Sequence, residues 1–321
     1  MITTRVGELL HIKRPIIQGG LAYLARAPLA AAVSEAGGLG QITATTLADE
    51  RQFRQEIREL RNLTDKPFGV NFALGHRPID ELLEVAFDEE VPAISLTGGN
   101  PQPYASAIVS RGIRLLVLTA GVRAAKNAEK LGADIIIAVG FEGGGHLGRD
   151  DIGTMVLTRK IVESVSVPVV ASGGIGDGYG LVAALALGAE GIEMGTRFVA
   201  TRECPAHLSY KERLVQLQEN ETRIIERSIG LPGRVVPSPY VDIVLSHEPA
   251  ASLEELLPYV SGDKNRKAAL EGKWESGFAW GGQVSGLILD IPSVQELLDR
   301  IEDEAMANWD RLSRIFGNRV L

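Results

Sequence analysis

The feature that most constrains this chain is a repeated alternation of texture. Short β-branched or apolar runs, several entered through proline, alternate with longer stretches whose apolar residues recur at helical spacing. The short runs are Pro15–Gln18, Leu39–Ile42, Phe68–Phe72, Ala93–Thr97, Ile113–Thr119, Asp134–Val139, Val167–Ala171 and Gly191–Met194. Helical candidates lie between them, near Ala27–Ala36, Asp49–Leu63, Pro78–Glu89, Pro101–Arg111, Gly121–Leu131, Met155–Val165 and Gly178–Leu187. Strands alternating with helices of about 10–15 residues predict parallel strands joined by crossover helices. Runs that are apolar almost throughout predict strands covered on both faces. Eight of them, with short connections, predict an α/β fold of the (β/α)8 TIM-barrel type. An open doubly wound sheet is the competing arrangement. Gly132-Ala133-Asp134 and Gly188-Ala189-Glu190 both read as a helix stop followed by a strand start.

After Phe198 the texture changes. Glu203 to Gly282 has no clean strand pattern, with helical stretches at Lys211–Glu219 and Ser252–Leu257 and a Gly/Pro-rich loop at Gly230–Pro239. The expected organisation is a barrel over 1–202, a smaller, mainly helical insertion or lid over 203–282, and C-terminal helices over 283–321 that pack back on the barrel. A chain of 321 residues can bury such a core without covalent staples. Lys and Arg total 33 against 41 Asp and Glu, a net charge of −8, which argues against nonspecific nucleic-acid binding but leaves room for a local phosphate pocket. Cys204 is the single cysteine, so no intrachain disulfide can form. No apolar stretch approaches the roughly 18 residues of a bilayer span, and Met1 to Lys13 shows no signal-peptide pattern. The expectation is a cytoplasmic protein without membrane partners.

In a parallel barrel the active site lies at the C-terminal ends of the strands. The residues just past the apolar runs are therefore the candidates: Gln18-Gly19-Gly20, Asn71, the loop Gly140–Gly148, the loop Ser172–Gly178, and Glu193–Arg197. The two last glycine-bearing loops suit a phosphate, because glycine lets backbone N–H groups approach an anion closely. A helix beginning near Gly178 would add its N-terminal dipole. Barrels commonly hold phosphate with the loops after strands seven and eight.

Within the loop Gly140–Gly148, His146 follows three glycines. An imidazole there can exchange a proton near neutral pH or pair with an anion, or it can simply hydrogen-bond backbone. His11, His76, His207 and His247 show no metal-ligand spacing, so no metal site is expected. A nucleophilic role for Cys204 competes with that of a small buried residue. Trp274, Phe278 and Trp280 form either a packing cluster or a pocket wall. Gln283 follows two glycines and could present its amide to a cofactor. No Gly-x-Ser-x-Gly elbow or Walker loop is present.

These residues resemble the nitronate monooxygenase family, also called 2-nitropropane dioxygenase-like. The matching motifs are Pro15–Gly20, Lys66–Asn71, Gly143–Gly148, Ala171–Ile175 and Met194–Phe198, in family order over nearly the whole chain. The resemblance implies FMN on the barrel rim. Gln18, Gly19 and Asn71 would contact the flavin. Gly145, Gly173, Gly174, Gly195 and Thr196 would contact ribityl and phosphate oxygens, with Gly20, Ser172 and Met194 counted in the same cofactor-binding set. Gln283 would approach the flavin, and His146 matches the family's catalytic histidine. Three activities share these motifs: oxidation of alkyl nitronates or nitroalkanes with O2, NADH:quinone reduction, and flavin-dependent enoyl-acyl carrier protein reduction. Thr201–Pro205 and Asp177-Gly178-x-Gly180 look closest to the first two. The implied partners are a nitronate or quinone and NAD(P)H, and a homodimer is compatible with the pattern. A non-catalytic FMN-binding protein and a non-flavin phosphate-binding barrel related to inosine monophosphate dehydrogenase are the readings from other classes; the latter needs a loop cysteine that Cys204 does not match.

Overall fold

The computed structural model describes residues 2–75, 78–250 and 252–317; His76 lies outside them. Eleven strands occur among these residues: β1 (Ile16–Gln18), β2 (Gly40–Thr43), β3 (Phe68–Leu74), β4 (Ala93–Gly98), β5 (Arg114–Thr119), β6 (Ile135–Val139), β7 (Gly145–His146), β8 (Val169–Ser172), β9 (Gly191–Met194), β10 (Arg223–Ile225) and β11 (Gly233–Val235). Eight of them form one parallel sheet in the order β1-β9-β8-β6-β5-β4-β3-β2. A parallel bridge between Ile17 and Leu39 brings the two edges together. The expected (β/α)8 barrel is therefore present.

Local chemistry explains the crossover helices. In the helix Glu50–Leu63, Asp49 caps the first turn by accepting from the Gln52 amide at 2.8 Å. Its buried residues are Phe53, Ile57 and Leu60, spaced to face the sheet as one stripe. Gly40 has no room for a side chain, since a Cβ would lie 1.9 Å from the Ala30 carbonyl oxygen.

The barrel interior is graded. Ile17, Leu39, Ala93, Leu116, Ile135, Ile137 and Val170 form its apolar part, closed at the base by Val6 and Leu10 of the helix Arg5–Leu10. Strand alternation and register put the next inward residues nearer the C-terminal mouth. These are Gln41, Asn71, Ser95, Ser172 and Glu193, all polar and all buried.

Residues 203–282 carry four α-helices, Leu208–Gln216, Pro239–His247, Leu253–Val260 and Gly262–Glu271, among the described residues. They also carry β10 and β11, where no strand pattern was legible. β11 pairs antiparallel with both β10 and β7, tying this segment to the loop after β6. Ile225, Val235, Val241, Val244, Leu256 and Phe278 belong to a small core made wholly within the segment. The last helix, Val294–Phe316, starts with a capping box of Ser293 and Glu296 and packs against the helix Gly178–Ala186.

Candidate active site

The mouth of the barrel is a buried polar layer. Asn71 donates through Nδ2 to Ser95 Oγ at 2.9 Å, and Ser172 Oγ donates to Glu193 Oε1 at 3.0 Å. Gln18 Oε1 accepts from the Gln41 amide at 3.0 Å, while its own side-chain amide donates to the Gly19 carbonyl. Gln41 Oε1, fully buried, has no partner among the described residues. Burial pushes the Glu193 carboxyl up to about 7, against the lowering effect of the Ser172 hydrogen bond. An acid in this state can sit neutral in the layer and offer a proton. The loop past β1 crosses closely over the layer: a Cβ on Gly20 would lie 2.2 Å from Asn71 Oδ1, and one on Gly19 would lie 3.0 Å from Glu193 Cδ.

The glycine loops converge above it. Gly173 and Gly174 have φ of +95° and +73°, left-handed values that other residues rarely hold. No protein hydrogen bond among the described residues uses the amides of Gly174, Ile175 or Gly176. Three N–H groups in succession without protein partners are what an anion cradle needs. Arg197 is buried beside it: a Cβ on Gly176 would meet the Arg197 side chain at 3.7 Å. Arg197 Nη2 donates to the carbonyls of Ala200 and Asp290, but its Nε has no partner. Burial lowers this guanidinium to about 10, with Asp290 opposing the effect.

At the start of the helix Gly178–Ala186 two first-turn amides already have partners of this chain, Gly180 in Asp177 Oδ1 at 2.7 Å and Gly178 in Glu304 Oε2 at 2.9 Å. These carboxylates meet part of the dipole there, which leaves the loop before the helix with the unpartnered amides.

Thr196 Oγ1 accepts from the Gly282 amide at 3.0 Å, and the Gln283 amide donates to the Glu142 carbonyl at 2.9 Å. Gly144 is held against both, since its Cβ would lie 2.7 Å from Gly282 N and 3.0 Å from Thr196 Oγ1. The loops after β6 and β9 and the turn at Gly282 thus form one rim. Gly195 caps the short helix Thr196–Val199. Met194 sends its side chain into the core behind the strands and gives its carbonyl to the Gly19 amide at 3.0 Å. Gly145, at φ +83°, borders open space. His146 follows it, with a side chain 61% exposed.

The nitronate monooxygenase family profile matches residues 3–81 and 73–304. The chain belongs to the nitronate monooxygenase family. It is 33% identical to the nitronate monooxygenase of Pseudomonas aeruginosa, over 94% of this chain and 99% of that one. The solved structure of FabK from Thermotoga maritima superimposes with a TM-score of 0.93 at 38% identity, covering 98% of this chain and 100% of that one. A nitroalkane oxidase from Streptomyces ansochromogenes gives a TM-score of 0.83 at 28% identity, with 96% and 99% covered. The family is one of flavin-dependent enzymes, and this member is an oxidoreductase.

Sequence reasoning placed Glu193 and Glu142 in candidate stretches without giving either a role, and it passed over Gln41, which sits at a strand position where an inward polar residue is legible only once the register is known. The Glu142 carboxylate accepts from the Thr154 amide at 2.8 Å and from Thr154 Oγ1 at 2.9 Å, pinning its glycine loop to the helix Thr154–Val162. The aromatic group divides in two. Trp274 packs on Tyr210, whereas Trp280 lies tilted against His146, with ring centroids 4.9 Å apart and planes at 49°. Burial pushes the Cys204 thiol up to about 11, which suits packing and not nucleophilic attack.

Proposed function

We propose that this enzyme binds FMN at the barrel mouth and oxidises alkyl nitronates with O2. The carrying observation is that amides with no protein hydrogen bond among the described residues, Gly174 to Gly176, lie on a loop packed against Glu142 and Arg197, while the exposed imidazole of His146 lies on the same loop as Glu142, which Gly144, Thr196 and Gly282 join to the rest of the rim. The polar layer supports the reading too, because the unpartnered Gln41 Oε1 and Arg197 Nε suit a ligand with a polar edge and an anionic tail.

In this reading Gly173, Gly174 and Gly195, with Thr196 and Arg197, hold the phosphate. Gln18, Gly19, Gly20, Asn71 and Ser172 line the ring side, with Met194 behind them, and Gly145 and Gln283 flank the opening. Bound FMN supplies the electron-transfer chemistry. His146 pairs with the anionic nitronate oxygens and orients the substrate, the task for which an exposed, titratable ring is suited. Residues 203–282 form the cover that limits water, and residues 283–317 pack back on the barrel.

The likeness to FabK favours a second reading, in which the same site reduces an enoyl thioester with electrons from NAD(P)H. A quinone acceptor is the third variant. Anaerobic mixing separates them. Propionate 3-nitronate is expected to bleach the flavin of the purified enzyme, and O2 to restore the colour. Bleaching by NADH alone, with no response to nitronate, would reject nitronate oxidation. Reoxidation of NADH-bleached enzyme by an enoyl thioester or by a quinone then identifies the acceptor. Protein that takes up no FMN would overturn all three.

A further inference from the structure

We propose that Glu226 is a positioning residue for His146, holding the Nε2 side of the ring and leaving Nδ1 as the nitrogen that meets a ligand. Glu226 Oε2 lies 3.2 Å from His146 Nε2, with a carboxylate side chain 7% exposed against 61% for the imidazole. Oε2 has no hydrogen-bond partner among the described residues, and the imidazole, at ion-pair distance, is the group that faces it. A buried carboxylate oxygen left uncompensated is costly, which makes this an unusual place to keep a glutamate for stability alone.

The backbone is set for the contact. Glu226 has φ +62°, a left-handed conformation costing a non-glycine residue about 1–2 kcal/mol. That conformation lies just past β10, and β11 then brings Gly233 opposite His146 in β7. A Cβ on Gly233 would lie 2.6 Å from the Trp280 ring and 3.5 Å from Glu226 Oε2. The glycine therefore leaves the space in which acid, indole and imidazole meet. Trp280 lies tilted on one side of the imidazole and is itself braced edge-on by Phe278 at 5.0 Å. The neighbouring Arg227 is engaged elsewhere, with Asp151 at 3.0 Å.

A carboxylate accepts and cannot donate, so the neutral imidazole facing it carries its proton on Nε2. Nδ1 then presents a lone pair, or a second N–H once the ring is protonated. The oxyanion partner assigned to His146 above is thus Nδ1. This inference rests on that functional reading for its purpose, but its geometry can be read without any substrate.

The test uses the full-length FMN-loaded enzyme with ¹⁵N-labelled histidine, at a pH where imidazole is neutral, and the His146 signal is identified by its loss in His146→Asn. Wild type is expected to show the Nε2–H tautomer as the dominant form. Glu226→Gln, which keeps shape and removes charge, is expected to lose that preference and to lower kcat by about 10–10²-fold, the usual scale for a group that orients a functional histidine. Glu226→Asp is expected to restore part of both. An unchanged His146 tautomer in Glu226→Gln overturns the proposal. If the tautomer shifts while His146→Asn turns over at the wild-type rate, the positioning contact stands and the functional reading of His146 falls.

Discussion

The barrel rim and the segment 203–282 meet at the same mouth but build their contributions in opposite ways. On the rim, functional groups are held by near neighbours in the strand ladder: Asn71 by Ser95, Glu193 by Ser172, Gly19 by the Met194 carbonyl. These groups are buried and fixed. The segment instead offers single side chains, Glu226 and Trp280, that reach across to a solvent-facing ring. A preformed ladder suits the holding of a cofactor, whereas a segment with a small core of its own suits the holding of a side chain that must face a changing ligand. On the proposed function, cofactor capture would fall to the rim and substrate handling to a segment that also shares a larger apolar core with the barrel.

The sharpest way to break that division is to remove the imidazole. His146→Asn is expected to keep FMN bound, because the cradle lies on the rim, while turnover drops by about 10²–10⁴-fold. Loss of FMN together with activity would mean that the two tasks are not separate. Steady-state rates alongside the bound-flavin spectrum decide it.

The next effect concerns the rim. Glu193 is raised by burial to about 7 in the folded protein from an ordinary value of 4.5. Between those values the folded chain binds the extra proton, so stability falls as pH rises from 4.5 through about 7 and then levels. Glu193→Gln is expected to remove that loss, which is on the order of 3 kcal/mol. Urea midpoints of both proteins at several pH values provide the check; parallel curves would show that Glu193 is ionised in the fold.

The smallest effect belongs to the indole. Trp280→Ala is expected to leave flavin affinity unchanged and to weaken substrate handling by about tenfold, the loss of roughly 1 kcal/mol of ring contact. A KM and kcat comparison in the FMN-loaded enzyme reads it. A matching loss of flavin would place Trp280 functionally with the rim.

Much of the rim was legible because parallel-barrel geometry converts sequence position into spatial position. Once a run is read as a strand, the residue at its C-terminal end is at the mouth, and Gln18, Asn71, Ser172 and Thr196 follow from that rule alone. The loop after β8 was legible through its glycines, but the filling of the next helix's first amide was not, because Glu304 arrives from the C-terminal helix to occupy it. The two short strands of the segment escaped notice because they carry no alternating run long enough to register. They form by pairing, β10 with β11 and β11 with β7, and not by their own pattern.

The sequence by itself determined the barrel, its strand ends and the glycine-bearing loops, because periodicity and turn chemistry act over a few residues and need no distant partner. Only the tertiary structure decided that Glu193 sits in a buried layer, that Asp177 and Glu304 take two amides of a helix terminus, and that Glu226 and Trp280 close on His146. Each of those depends on which remote side chain fills a given space, and on the solvent excluded when it does. Such facts belong to packing, which no local pattern along the chain encodes.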